Sequence, residues 1–175
     1  YRDSYNMFAC NGILFNHEGT TRGENFVTRK ITRFVAKYNY EKKNILYLGN
    51  LSAKRDWGYA PEYVVAMWKM LQARKPDDFV IATHEAHTVR EFVIEAFNQI
   101  GIKIKFKGKK LNEVGIDTKS GKIIVKSIKY YYRPNDVKSL IGNYNKAKKV
   151  LNWKPKIKFK SIVKLMVSED LKIYI

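Results

Sequence analysis

Met7-Phe8-Ala9-Cys10-Asn11-Gly12-Ile13-Leu14-Phe15 is the run that decides the fold. Its apolar side chains are too continuous for a strand with one wet face, where hydrophobic and polar residues alternate. Runs of this kind belong to strands of parallel sheets covered on both faces. A polar loop follows, Asn16-His17-Glu18-Gly19-Thr20-Thr21-Arg22-Gly23, at the carboxyl end of the predicted strand. Ligands of open α/β sheets bind at such carboxyl ends. Working outward, Phe26, Ile31, Phe34 and Val35 recur at helical spacing. They predict a helix over residues 24–38 with Arg29, Lys30 and Arg33 on its other, polar face. Phe79-Val80-Ile81-Ala82 predicts a second buried strand.

Ile45-Leu46-Tyr47-Leu48 reads as a further strand. Residues 63–71 read as a helix that takes Pro61 in its first turn and buries Val64, Val65, Met67, Trp68 and Leu71. The connection between them is Leu48-Gly49-Asn50-Leu51-Ser52-Ala53-Lys54-Arg55-Asp56-Trp57-Gly58-Tyr59. Guanidinium, carboxylate and indole together suit a phosphate-bearing, ring-containing ligand: Arg55 forks onto phosphate, Asp56 fixes the arginine, and Trp57 walls off water. A surface loop with one local Arg–Asp pair is the alternative.

Farther along, Thr88 and Glu91 make a capping box that opens a helix over 89–100, and Gly101 stops it. Residues 102–106 alternate with period two, 107–121 form a Gly- and Lys-rich excursion, and 123–125 form a short strand. Tyr130-Tyr131-Tyr132-Arg133 is extended ahead of Pro134. Two helices, 145–151 and 161–171, close the chain around the turn Trp153-Lys154-Pro155. Strands alternating with helices place the chain in the α/β class.

At 175 residues the chain fits a single domain with a sizeable core, and its 45% hydrophobic content is ordinary. The net charge of +18 is not ordinary. It implies an anionic substrate, an anionic partner, or simply a lysine-rich surface. A basic nucleic-acid-binding module is therefore the rival from another class. The lysines are dispersed through every segment and no nucleic-acid motif is present, so no nucleic acid is expected. The single Cys10 cannot form an internal disulfide, which points to a buried thiol in a reducing, cytoplasmic setting. No apolar run approaches the roughly 20 residues that span a bilayer, and no membrane is expected. The N-terminus has no signal-peptide pattern and no initiator Met, so the gene is expected to begin upstream of Tyr1.

No Gly-rich phosphate fingerprint, P-loop or nucleophile elbow is present. His84 and His87 flank Glu85, but two histidines three apart without a third ligand do not make a metal site, and none is expected.

Three longer runs carry a resemblance: Asn11-Gly12-Ile13-Leu14-Phe15-Asn16-His17-Glu18, Arg22-Gly23-Glu24-Asn25-Phe26-Val27-Thr28-Arg29-Lys30-Ile31-Thr32, and Leu46-Tyr47-Leu48-Gly49-Asn50-Leu51 with Ala53-Lys54-Arg55-Asp56-Trp57-Gly58. Gly115-Ile116-Asp117, Arg133-Pro134 and Trp153-Lys154-Pro155 extend it. Together they resemble the C-terminal half of the GDP-mannose 4,6-dehydratase family, within the extended short-chain dehydrogenase/reductase class. The resemblance covers nearly the whole chain. It implies the last part of a Rossmann-like parallel sheet plus the smaller α/β substrate-binding domain. Residues 1–175 would be one C-terminal portion, with the N-terminal dinucleotide-binding half absent.

The resemblance also implies an NADP-dependent lyase converting GDP-mannose to GDP-4-keto-6-deoxymannose and water, on the route to GDP-fucose. The catalytic Tyr-x-x-x-Lys, Thr and Glu of the family are expected upstream, so this chain carries no catalytic residue and should be inactive alone. By the same resemblance His17 and Arg22 contact the cofactor, NADP. Asn16, Val27, Lys30, Arg55 and Arg133 bind the GDP-sugar, each charge-assisted contact contributing roughly 1.5–3 kcal/mol. Asp136 stands where the family has Glu, suited to reading guanine N–H donors through a shorter side chain. Trp57 and Trp153 are packing residues. His84 replaces a usual Gly, and Asn143-Tyr144 replaces Asp-Pro. The family assembles as dimers or tetramers. A non-catalytic sugar-nucleotide-binding protein with the same grip is a further alternative.

Overall fold

The computed structural model describes residues 1–133, 137 and 139–174. In chain order the elements are α1 (Arg2–Tyr5), β1 (Asn11–Leu14), β2 (His17–Glu18), α2 (Val27–Glu41), β3 (Leu46–Leu48), β4 (Lys54–Arg55), β5 (Gly58–Tyr59) and α3 (Ala60–Leu71). They continue with β6 (Asp78–Ile81), β7 (His87–Thr88), α4 (Val89–Asn98), β8 (Ile104–Lys107), β9 (Val114–Asp117), β10 (Ile123–Ser127), α5 (Asn145–Leu151) and α6 (Phe159–Leu171).

Two packed layers result. In the first, β1 and β6 pair in parallel, Asn11 opposite Asp78 and Leu14 opposite Ile81. Tyr63, Ala66 and Met70 of α3 pack there with Phe79, Ile81, Leu151 and Trp153. In the second, the mixed sheet runs β3-β10-β9-β8, parallel at β3-β10 and antiparallel elsewhere. Its buried side chains, including Leu46, Leu48 and Val125, meet Ile31 and Val35 of α2, Phe92 and Phe97 of α4, and Ile162 and Met166 of α6. The capping box forms as the sequence requires: Thr88 Oγ1 accepts from Glu91 N at 3.0 Å, and Thr88 N donates to Glu91 Oε2 at 2.6 Å.

Several expectations are corrected. β1 is not covered on both faces; Ile13 is 55% exposed. It has β6 as its strand partner, and the α3 layer covers one side. A Cβ on Gly12 would lie 3.3 Å from Met70 Cε, so Gly12 faces α3, and period-two geometry turns Ile13 the other way. Likewise α3 buries Tyr63, Ala66 and Met70, while Val64, Trp68 and Leu71 are 61%, 62% and 59% exposed, with Val65 and Met67 also exposed. Apolar residues ring this helix, so spacing alone names no buried face. Arg29, expected on the polar face, is buried and pairs with the fully buried Asp170 of α6 at 2.9 Å. Phe26 is not a core residue but the exposed N-cap of α2. The 107–121 excursion contains β9, and Lys129–Tyr131 forms a 3-10 turn in place of extended chain.

Candidate functional site

The loop after β3 is pinned from two sides. Ser127 Oγ donates to Gly49 O at 2.7 Å and Ile128 N to Leu48 O at 2.8 Å. A Cβ on Gly49 would lie 2.0 Å from Tyr131 O. Glycine is therefore what lets the Lys129–Tyr131 turn seat on the end of β3. On the other side β4 pairs with β7, Lys54 opposite Thr88 and Arg55 opposite His87, while Lys54 also bridges Ser139. Gly49 and Ser127, 78 residues apart in sequence, are thus brought together beside β4.

Between them lies an open cleft of about 470 Å³. Asn16, Val27, Lys30, Arg55 and Arg133, five of the six substrate residues named from the sequence, line it; Asp136 lies outside the described residues. Phe26, Asn50 and Tyr131 line it as well. Lys30 Nζ donates to Tyr47 O at 2.8 Å and stands 3.4 Å above the Tyr131 ring. Arg55 Nη1 donates to Lys54 O at 2.7 Å and to Val137 O at 2.6 Å. Among the described residues no Asp or Glu lines the cleft, so three cationic side chains set its potential. The N-cap of α2 offers no side-chain cap, and this positive helix end opens on the same space.

His17 and Arg22 sit beside the cleft and do not line it. Phe15 O can only accept, so His17 Nδ1, 2.8 Å away, carries the proton. In the neutral ring this leaves Nε2 as an acceptor. Arg22 Nε lies 3.2 Å from Glu18 Oε2, and its guanidinium carbon lies 3.5 Å from the centroid of the Phe26 ring. Glu18 is almost fully buried and accepts from Thr28 Oγ1 at 2.5 Å. Burial pushes its carboxyl above the ordinary range, against the Thr28 hydrogen bond and the Arg22 charge.

The 48–59 connection is arranged differently from expectation. Asp56 does not steady Arg55: it is fully buried and accepts from Thr83 N, Thr83 Oγ1, His84 N and Gly142 N at 2.6–3.1 Å. Trp57 packs as expected, 5.3 Å from Phe92 and 6.0 Å from Phe159. Trp153 packs edge-on against Tyr63 and Tyr144. His84 holds φ +64°, the left-handed region that glycine adopts freely. Its Nδ1 donates to Gly142 O at 3.0 Å. The His87 ring stacks on Phe159 at 3.9 Å, so the two histidines serve different neighbours.

Sequence reasoning missed Phe26, Asn50, Tyr131 and the Glu18–Thr28 pair. Phe26 was legible only as apolar spacing, because the helix begins at Val27, after Phe26, and not at 24 as the spacing predicts. Tyr131 reaches the cleft through the Gly49 contact, which no local pattern encodes.

The model of the family described as GDP-mannose 4,6 dehydratase matches residues 1–166. The GDP-mannose 4,6 dehydratase of Dictyostelium discoideum is 57% identical over 171 residues, covering 98% of this chain and 48% of that protein. The chain thus spans about half the length of the curated relatives it matches. Among solved structures, RMD from Pseudomonas aeruginosa complexed with NADPH superposes with a TM-score of 0.79 at 14% identity, over 98% of this chain and 51% of that one. UDP-glucose 4-epimerase from Thermotoga maritima, with UDP-glucose, gives 0.74 at 20% identity over 99% and 49%. These likenesses show the fold: an α/β chain with Rossmann-like parallel pairing.

Proposed function

Since the chain belongs to the GDP-mannose 4,6-dehydratase family, we propose that it supplies the GDP-sugar grip of an enzyme converting GDP-mannose to GDP-4-keto-6-deoxymannose and water. One observation carries this: Asn16, Val27, Lys30, Arg55 and Arg133, drawn from across the sequence, line a single cleft. Lys30, Arg55 and the uncapped start of α2 bring positive charge to where a diphosphate would lie. Arg133 supplies a second planar fork. Asp136 remains the proposed acceptor for guanine N–H groups.

The neighbouring pair suits a phosphate- and ribose-bearing nicotinamide cofactor, and we propose NADP. Arg22, held by Glu18 and Phe26, presents its remaining N–H groups as phosphate donors. His17, with Nδ1 committed to Phe15 O, offers Nε2 as an acceptor for a ribose hydroxyl. NADP held by Arg22 and His17 would supply hydride removal at C4 of the mannose and its return at C6, on either side of the loss of water across C5–C6. This chain's residues hold the nucleotide while that happens. The catalytic Tyr, Lys, Thr and Glu are proposed to lie in a dinucleotide-binding half preceding Tyr1. Such a half would also cover the bare face of β1 and α3. Assembly as a cytoplasmic homo-dimer or tetramer belongs to the same reading; among the described residues no helix is long and apolar enough to cross a membrane.

Incubating the natural full-length protein with GDP-mannose and NADP should produce the 4-keto sugar, whereas residues 1–175 alone should not. Turnover by the short chain would overturn the division of labour. Tight GDP-mannose binding without turnover by the full-length protein would select the non-catalytic alternative.

A further inference from the structure

Phe26 is half exposed, at 49%, on the N-cap of a fifteen-residue helix. An aromatic ring left in water at a position that favours Ser, Thr, Asp or Asn is unfavourable for the helix end, which directs attention to what the ring touches. Its backbone is fixed by Phe26 N donating to Gly23 O at 3.1 Å and Lys30 N donating to Phe26 O at 2.9 Å. The Arg22 guanidinium carbon lies 3.5 Å from the ring centroid, and the ring also lines the cleft beside Lys30. Arg22 is held in addition by buried Glu18 at 3.2 Å, itself held by Thr28 of the first turn of α2. The guanidinium therefore rests between a carboxylate and a ring, and the ring is fixed in turn by the guanidinium.

We propose that Phe26 is a positioning residue shared by the two ligands, its ring orienting Arg22 for the cofactor while walling the substrate cleft. The inference rests on the function proposed above. The ring touches no reacting atom; it acts through Arg22 and through the shape of the cleft. Loosening it raises KM for substrate and weakens cofactor binding together, with kcat nearly unchanged.

The test uses the natural full-length protein, with GDP-mannose and NADP for turnover and NADPH as the cofactor-binding probe. Phe26→Leu keeps an apolar wall but removes the π face. It should raise KM for GDP-mannose and Kd for NADPH about threefold each, and Phe26→Tyr should restore both. In an Arg22→Ala background, Phe26→Leu should lose its effect on NADPH, because coupled residues are non-additive in a double-mutant cycle. A silent Phe26→Leu, a change in substrate KM alone, or additive effects with Arg22→Ala would overturn the inference. Failure of the proposed function shows elsewhere, in a wild-type protein that binds neither ligand.

Discussion

The strands β3 and β1 make the instructive comparison. Leu46-Tyr47-Leu48 and Asn11-Gly12-Ile13-Leu14 are both short apolar runs opening onto a loop that carries candidate ligands. β3 sits in a four-stranded sheet under three helices and buries both leucines. β1 has one partner and one covered face, and leaves Ile13 outside. Hydrophobicity says that a side chain would gain from burial; only a neighbouring layer delivers it. The cleft beside Gly49 and Arg55 stands on the completed side, and the bare side is where the dinucleotide-binding half proposed above would dock.

Breaking the completed side should have the largest effect. Phe92→Ala removes a fully buried ring touching Trp57 and Phe159, and should lower unfolding stability by about 3–5 kcal/mol in urea titration. Gly49→Ala forces a Cβ onto Tyr131 O and should cost about 1–3 kcal/mol. It should also weaken GDP binding, measured by calorimetry on the full-length protein, because the Tyr131 turn moves away from the cleft.

A pH series sharpens the same side. The Glu18 carboxyl binds its proton more tightly folded than unfolded, because burial raises it. Its contribution is full below the unfolded value near 4.5 and lost as pH rises through the raised folded value. Glu18→Gln should flatten that fall in stability. His84→Gly should change stability by less than about 1 kcal/mol, since relief of the left-handed backbone offsets loss of the Gly142 hydrogen bond. The smallest effect belongs to the bare side: Trp68→Ala should stay within about 0.5 kcal/mol in the 175-residue chain. The same substitution should be costly in the full-length protein, and equal effects in both would break the comparison.

Much of this was legible beforehand. The capping box at Thr88, the packing roles of Trp57 and Trp153, and the strands around Phe79 and Leu46 follow from local spacing and side-chain chemistry. The departure of His84 from the family's glycine marked a backbone position that does turn left-handed. Asp56 was misread because an Arg–Asp neighbourhood in sequence says nothing about which carboxylate turns inward; here four donors from Thr83, His84 and Gly142 compete for it. The α3 face was misread because its ring of apolar residues has no preferred direction until Tyr63 and Met70 meet Phe79 and Trp153.

By itself, then, the sequence determined the α/β alternation, the capped start of α4, the family, and which charged residues are proposed to hold a nucleotide-sugar. These depend on interactions within a few residues or on motifs read directly. Only the tertiary structure decided that Lys30, Arg55, Tyr131 and Arg133 share one cleft, that Asp56 and Arg29 turn inward, and that Phe26 lies under Arg22. Those outcomes rest on contacts between segments far apart in the chain, such as Tyr131 O lying where a side chain on Gly49 would be.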